Sequence, residues 1–367
     1  MNNTKINKRV LLTGGGTGGS VVPVLAIYDE LKKSSPDINF EVQWIGTAEG
    51  PEKILMEREK IPFKAIKWGK LRRYWSWQNL IDPFFIKYGF YQSLFFLIKW
   101  RPDVVITAGS FVSVPVIWAA WVLRIPILIH QLDMRPGLAN KIMSKFATVI
   151  TVTFEKSLKD YGRKAVLTGN PVRGIIGNLA MPKKEAIEKL GFNNFKPIIL
   201  ILGGGTGSDF INKMVLDNLS ELIKKFQIVH ITGKDRMNTA DKNFDLPNYK
   251  SFEFLDTTGM LKSFTAADLV ISRCGIGILT ELSYLGKPSI LIPIPDSHQE
   301  DNAQVFADKK GAIVLSQKNI NAGIFMENIL NIFGNQELRE ELSKNIQGII
   351  KTNAGGKIVE EIRKLIK

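Results

Sequence analysis

Two glycine-rich turns, one near the start of each half, constrain this chain more than anything else in it. The first reads Val10-Leu11-Leu12-Thr13-Gly14-Gly15-Gly16-Thr17-Gly18-Gly19-Ser20, and the second Ile198-Ile199-Leu200-Ile201-Leu202-Gly203-Gly204-Gly205-Thr206-Gly207-Ser208. Each follows a short apolar run of the kind that forms a buried parallel strand, and each precedes a segment with helical periodicity. Glycine lets main-chain amides approach a ligand, and the start of a helix favours negative charge. The pair predicts two α/β domains facing each other across a cleft, with an anionic ligand or its acceptor between them.

Alternating strand and helix patterns support this. Strands are expected at Arg9–Thr13, Glu41–Ile45, Val104–Thr107, Ile127–His130 and Thr148–Val152, then at Pro197–Leu202, Gln227–Ile231, Leu269–Ser272 and Ser289–Pro293. Helical patterns such as Pro23–Lys33, Val112–Leu123, Ser208–Lys224, Ile278–Leu285 and Gln299–Lys309 lie between them, and amphipathic helices run from about residue 322 to the end. This rhythm implies right-handed βαβ units and a parallel sheet in each half. The seam is expected at Gly169-Asn170-Pro171-Val172-Arg173, where a turn-forming Asn-Pro precedes a polar stretch. The expected domains are therefore 1–172 and 173–367, with the last helix a candidate to cross back to the first.

The 367 residues suffice for two ordinary domains, and 45% hydrophobic with 23% charged residues are globular values. A single cysteine, Cys274, leaves no internal disulfide and fits a reducing compartment. The formal net charge of +14 favours nucleic acid, an anionic membrane surface or a polyphosphate ligand. No signal-peptide pattern and no apolar run long enough to span a bilayer is present, so a cytoplasmic chain with peripheral membrane contact is expected. No His, Cys or Asp cluster has metal-ligand spacing, so no cofactor or tightly bound metal is expected.

Gly14-x-Gly16-x-x-Gly19 matches the dinucleotide fingerprint, but the second strand ends Gln43-Trp44-Ile45-Gly46-Thr47, without the acidic residue a nicotinamide ribose needs. Neither turn continues into Gly-Lys-Ser/Thr, which disfavours a P-loop. The stretch Ser272–Asn302 carries more. Amides near Gly275, Ile276, Gly277 and Ile278 open a helix after an apolar strand and suit a phosphate. Glu281 follows, either to accept ribose hydroxyls or simply as a carboxylate favoured near a helix start. The polar loop Pro293–Asn302 follows the next strand, at the edge where open α/β sheets bind ligands.

Taken in order, these segments resemble the MurG family of N-acetylglucosaminyltransferases. The resemblance rests on the first turn with Val21-Val22-Pro23-Val24-Leu25-Ala26, on Gly109-Ser110-Phe111-Val112-Ser113-Val114-Pro115, and on His130-Gln131-Leu132-Asp133. It continues through Gly137-Leu138-Ala139-Asn140-Lys141, the Gly169–Arg173 segment, Ala267-Asp268 to Glu281, and His298-Gln299-Glu300-Asp301-Asn302-Ala303. It implies a GT-B fold of two Rossmann-like parallel-sheet domains, with the donor UDP-N-acetylglucosamine (UDP-GlcNAc) held mainly by the second. By the same resemblance Arg173 and the amides at Gly275–Ile278 hold the diphosphate, Glu281 takes the ribose, and main chain at Leu255 reads uracil. Gln299, with Glu300 beside it, contacts the sugar. Thr13, Gly14, Gly15, Gly16, Thr17, Gly18 and Gly19 face the diphosphate of an undecaprenyl-diphosphate-linked acceptor.

The chain departs from that family at three places. Ser20 stands where members carry a histidine favoured as general base. His130-Gln131-Leu132-Asp133 replaces His-Glu-Gln-Asn. Gly205-Thr206 replaces Ser-Gln, removing a hydroxyl near the donor phosphates. A missing base costs about 10²–10⁴ in rate unless replaced. Asp133 is the candidate replacement, His130 the alternative, and either can instead be structural; Ser20 can equally cap the helix that follows.

Between Lys64 and Arg101 an aromatic and basic stretch includes Trp68, Lys70, Arg72, Arg73, Tyr74, Trp75, Trp77, Phe84, Phe85, Lys87, Tyr88, Phe90, Tyr91, Phe95, Phe96 and Trp100. It reads as a surface helix with interfacial aromatics and cationic anchors, or as a helix whose aromatics pack inward. The resemblance places the family's membrane-association patch here. The leading expectation is an inverting hexosyltransferase that converts lipid I to lipid II in peptidoglycan synthesis at the cytoplasmic face of the membrane. A transferase for another lipid-linked acceptor and a weakly active UDP-sugar-binding relative stand as alternatives. No nucleic-acid motif supports a nucleic-acid partner, and none is expected.

Overall fold

The computed structural model describes residues 6–69, 77–172, 181–193, 195–236 and 246–366, with residues 78–80 described by their backbone alone. It divides into two compact units, Met1–Arg173 with Lys351–Lys367, and Gly174–Ile350.

The first unit is built on seven parallel strands: β1 (Ile6–Thr13), β2 (Ile38–Gly46), β3 (Phe63–Ala65), β4 (Val104–Thr107), β5 (Ile127–Gln131), β6 (Val149–Val152) and β7 (Ala165–Leu167). They lie in the order β3-β2-β1-β4-β5-β6-β7. The helices are α1 (Gly18–Ser34), α2 (Pro51–Arg58), α3 (Gln78–Trp100), α4 (Ser113–Val122), α5 (Leu138–Met143) and α6 (Leu158–Tyr161). Burial explains why the central strands read as continuous apolar runs. All four residues of β4 and of β6 are buried, and Val105, Ile127, Ile129 and Ile150 join Val116, Ile117 and Ala120 of α4 in one core. Fully burying one such aliphatic side chain contributes about 1.5–3 kcal/mol.

The second unit repeats the plan with six parallel strands: β8 (Ile198–Leu202), β9 (Gln227–Ile231), β10 (Tyr249–Phe252), β11 (Leu269–Ser272), β12 (Ser289–Leu291) and β13 (Ile313–Val314), in the order β10-β9-β8-β11-β12-β13. Its helices are α7 (Lys183–Lys189), α8 (Asp209–Asp217), α9 (Leu219–Lys225), α10 (Thr257–Ala266), α11 (Ile276–Leu285), α12 (His298–Asp308), α13 (Ala322–Gly334) and α14 (Gln336–Ile346). The helical pattern over 208–224 is two helices, because Asn218 turns its amide back onto the Met214 carbonyl at 2.8 Å and ends α8. The C-terminal amphipathic run is likewise interrupted: Asn335 caps α14 through Leu338 N–H at 3.0 Å.

The last helix, α15 (Ala354–Leu365), belongs to the first unit. Its buried face carries Ile358, Val359 and Ile362, and Arg363 donates to Ser34 O and Ser35 Oγ at the end of α1.

Both sheets reverse direction of winding beside their first strand, between β1 and β4 and between β8 and β11. Each glycine turn leaves the carboxyl end of that strand. The topology thus puts both turns at switch points, where adjacent loops diverge and leave a crevice.

Candidate active-site residues

In the second unit, the loops after β8, β11 and β12 meet through one buried cation. Arg273 Nε donates to Ser208 Oγ at 3.1 Å, and its Nη1 donates to Ile292 O and Pro293 O, both at 3.1 Å. Ser208 Oγ also accepts from Ile211 N–H and so caps α8. Burial lowers the Arg273 pKa and raises that of the neighbouring Cys274 thiol, which is enclosed and inert as a nucleophile. The glycine turn rises above this clamp: Gly203 is buried, while Gly205 and Thr206 form its exposed tip.

Gly275 is the N-cap of α11 and supplies no side chain to it, so the first-turn amides of Ile276, Gly277 and Ile278 have no capping partner. A Cβ at Gly275 or Gly277 would meet nothing within 4 Å, so the backbone here is open to a ligand. Beside it, Gln299 Oε1 accepts from Cys274 N–H at 3.1 Å and Ile294 N–H at 3.2 Å. That fixes the amide and leaves its Nε2 as a free donor among the described residues. Glu300 Oε2 accepts from Asp296 N–H at 3.0 Å. Glu281 lies in the second turn of α11 and makes no hydrogen bond to the described residues; the surrounding protein raises its carboxyl from 4.5 to about 7. Leu255 is half-buried in the loop between β10 and α10, next to Asp256, which caps α10 through Gly259 N–H. Arg173 lies outside the described residues.

In the first unit the glycine turn has a buried base and an open tip. Thr13, Gly14 and Gly15 are buried, whereas Gly16, Thr17 and Gly19 are exposed. Gly14 O accepts from the Trp44 indole at 3.0 Å, and Gly15 O accepts from Ser110 Oγ at 2.8 Å. Thr13, Gly14 and Gly15 are therefore foundation, and the open part of the turn is Gly16 to Ser20. Ser20 does not cap the helix. It is the third residue of α1, whose N-cap is Thr17, and its hydroxyl reaches Thr17 O only at 3.5 Å.

The network continues across the carboxyl ends of β4 and β5. Ser110 holds a left-handed φ of 91°, sparse for a non-glycine residue, next to Gly109. Gly109 leaves no room for a Cβ over Asn140 Oδ1. Asn140 Nδ2 donates to Gln131 Oε1 at 2.7 Å, Tyr161 OH donates to the same oxygen at 2.8 Å, and Gln131 Nε2 donates to Asp133 O at 2.7 Å. Asp133 is half-buried in the loop after β5.

His130 is elsewhere. It is fully buried, with Nδ1 at 2.8 Å from Thr151 Oγ1 and Nε2 at 3.1 Å from Asn170 Oδ1. Burial lowers its pKa from 6.5 to about 4, so the ring is neutral with both nitrogens engaged. The structure thus places the alternative base in the sheet core, as a hydrogen-bonded structural histidine.

Residues 10–152 match the glycosyltransferase family 28 N-terminal domain, and residues 198–361 match the glycosyltransferase family 28 C-terminal domain. The chain belongs to glycosyltransferase family 28. Among family 28 relatives, the UDP-N-acetylglucosamine–N-acetylmuramyl-(pentapeptide) pyrophosphoryl-undecaprenol N-acetylglucosamine transferase of Clostridium kluyveri is 39% identical over 329 residues, 88% of this chain and 90% of the relative. The enzyme of the same name from Clostridium botulinum (strain 657 / Type Ba4) is 37% identical over 98% of this chain and 100% of its own length. A crystal structure of Acinetobacter baumannii MurG matches with a TM-score of 0.74 and 25% identity, covering 97% of this chain and 99% of that one. The two Rossmann-like parallel-sheet units are those of a GT-B glycosyltransferase.

Two buried charged side chains have no counterpart in the sequence expectations: Arg273 lies within the Ala267–Glu281 segment with no role expected of it, and Glu52 lies in no motif. On α3 the structure separates the aromatics: Phe84 (73% exposed), Phe85, Tyr88, Tyr91 and Phe95 (72% exposed) face outward, while Phe90, Phe96 and Trp100 pack on the core. Trp77 is exposed, and Trp68 packs on the core; Lys70, Arg72, Arg73, Tyr74 and Trp75 lie outside the described residues. No helix among the described residues is long and apolar enough to cross a membrane.

Proposed function

We propose that this chain transfers N-acetylglucosamine from UDP-GlcNAc to undecaprenyl-diphosphate-linked N-acetylmuramyl-pentapeptide, converting lipid I to lipid II in peptidoglycan synthesis. The observation that carries this reading is near-full-length similarity, at 37–39% identity, to enzymes named for that transfer. The donor-side geometry supports it. In this reading the α11 amides meet the diphosphate, Glu281 the ribose, Leu255 main chain the uracil, and the free Nε2 of Gln299 the sugar, with Glu300 alongside; the family resemblance, not the geometry, adds Arg173 at the diphosphate.

In the step itself, an acceptor hydroxyl oxygen bonds to the anomeric carbon from the face opposite UDP. The bond from that carbon to the β-phosphate oxygen breaks, and the electron pair leaves with UDP. Arg173 and the α11 amides meet the charge developing on UDP, so the reading includes no resident metal. The hydroxyl proton passes to a carboxylate, for which Asp133 is the residue of choice because His130 is enclosed and neutral. Ser20, in the first turn of α1, hydrogen-bonds the acceptor rather than taking its proton. The Gly18, Gly19 and Ser20 amides at the α1 N-terminus hold the acceptor diphosphate.

The exposed stripe Ile81, Phe84, Tyr88, Tyr91, Phe95 and Ile98 repeats every three or four residues along α3. With a net charge of +14, this face suits peripheral binding to the anionic cytoplasmic leaflet, where the acceptor resides.

The test is UDP release from UDP-GlcNAc with and without lipid I in anionic vesicles. Release that requires lipid I and yields the disaccharide lipid supports the reading. Donor binding without lipid-dependent release rejects lipid I as acceptor and favours another lipid-linked hydroxyl, which the changes at Ser20 and Gln131–Asp133 would then explain.

A further inference from the structure

One buried acid in the first unit has no part in the chemistry above. Glu52, the second residue of α2, has 0% exposure, and among the described residues no cation pairs with it. Its oxygens accept three bonds instead. Oε1 takes Thr47 N–H at 2.7 Å and the Thr47 hydroxyl at 2.5 Å, and Oε2 takes Gly16 N–H at 3.1 Å. A carboxylate this deep is tolerated only while such donors are in place.

Three glycines make the room. A Cβ at Gly15 or Gly50 would overlap the Glu52 carboxylate, and one at Gly46 would press on its Cγ at 2.9 Å. Gly16 and Gly18 differ: a Cβ there would meet nothing within 4 Å. The glycines of this region therefore have two separate causes. Gly15, Gly46 and Gly50 accommodate Glu52, while Gly16 and Gly18 border open space. Gly16, at φ +80°, is the pivot between them. Because its N–H points down to Glu52, the amides left for a ligand are those of Gly18, Gly19 and Ser20, at the uncapped start of α1.

We infer that Glu52 is a positioning residue for the acceptor: by anchoring Gly16 and Thr47 it sets the angle at which the first turn of α1 presents its free amides to the acceptor diphosphate. This rests on the reading of the first glycine turn as the acceptor side. Glu52→Gln keeps the shape but turns an N–H donor toward either Gly16 or Thr47, so one anchor is lost.

The expected result for Glu52→Gln is a fall of about 10–100-fold in kcat/KM for lipid I, the usual cost of a lost hydrogen bond to a charged group. UDP affinity should stay within about twofold. Hydrogen–deuterium exchange across Thr13–Ser20 should quicken, a readout that needs no acceptor. Unchanged kcat/KM for lipid I, unchanged exchange, or a parallel loss of UDP affinity overturns the inference. If the wild type fails to transfer to lipid I, the functional reading falls, while exchange still decides whether Glu52 holds the turn. Should Glu52→Gln not fold, Thr47→Val removes only the hydroxyl anchor; a drop of about 3–10-fold is expected, and no drop overturns the inference.

Discussion

Glu281→Gln should make the ligand-free protein more stable at pH 8 and at the same time weaken its hold on UDP. Burial raises the Glu281 carboxyl from 4.5 to about 7. A carboxyl whose folded pKa lies above its unfolded value favours the folded state while protonated; that contribution is complete below pH 4.5 and is lost as pH rises to 7. At about 1.4 kcal/mol per pH unit, the ionised side chain costs the apo protein up to about 3 kcal/mol above pH 7, and its residual solvent contact reduces this to roughly 1–3 kcal/mol. Glutamine carries no such cost. For a unit of this size 1 kcal/mol moves Tm by about 2–4 °C, so the variant should melt about 2–10 °C above wild type at pH 8 and level with it at pH 4.5. Thermal melts of both proteins at the two pH values, without nucleotide, measure this. The carboxylate is the form that accepts ribose hydroxyls, so UDP affinity at pH 8 should fall about 10–100-fold in the same variant. An equal Tm difference at both pH values, or a less stable variant at pH 8, would refute the desolvation argument. Unchanged UDP affinity would remove Glu281 from the ribose.

Asp133→Asn should lower turnover by about 10²–10⁴ while UDP affinity holds, and unchanged turnover in steady-state assays would strip Asp133 of the base role. The neutral His130 has a folded pKa of about 4 against 6.5 in the open chain, so it contributes stability above pH 6.5 that is lost as pH falls toward 4. His130→Asn should accordingly flatten the acid limb of a denaturation profile and leave kcat within about threefold; a hundredfold loss of kcat in a folded variant would return His130 to the chemistry. Phe84→Ser combined with Phe95→Ser should cut binding to anionic vesicles by about 30–100-fold, from the apolar area withdrawn from lipid, and sedimentation with vesicles that is unaltered would exclude α3 as the membrane face.

What could be read from the sequence was whatever is written locally. The glycine turns, the fully buried strands β4, β6, β8 and β11, and the uncapped α11 start are each contained in a few consecutive residues. The edge strands β3, β7, β10 and β13 were not legible. They are two to four residues long and half-exposed, so they lack both an apolar run and a clean alternation. Glu52 was hidden for a different reason. Pro51-Glu52-Lys53-Ile54-Leu55-Met56-Glu57-Arg58 is an ordinary charged helix in which nothing distinguishes the acid that turns inward from the one that does not. Its role comes from Gly15, Gly46 and Thr47, which only the β1–β2 pairing brings beside it. His130 ends an apolar strand, and that pattern reads the same whether the ring lines a site or fills a core; Thr151 and Asn170 decide it.

On the acceptor side, the changes at Gln131 and Asp133 are connected rather than independent. Gln131 is 2% exposed, and its amide is used at both ends. Oε1 receives Asn140 Nδ2 and Tyr161 OH, and Nε2 donates to the carbonyl of Asp133. Burial raises the Tyr161 pKa, so the phenol stays protonated and donates. A glutamate at position 131 could accept the first two bonds but would set a carboxylate oxygen against the Asp133 carbonyl, with no proton between them. The glutamine is therefore what allows the loop after β5 to close onto its own strand end and hold Asp133 where it stands. The same side chain connects that loop, through Asn140 and the close approach of Gly109, to Ser110 and so to Gly15 O at the base of the first glycine turn. Ser20, five residues beyond Gly15 on the same turn, offers a hydroxyl where the resembled family has an imidazole that could accept a proton. Gln131 secures the carboxylate-bearing loop after β5, which is the arrangement expected if proton removal has moved from the start of α1 to the end of β5.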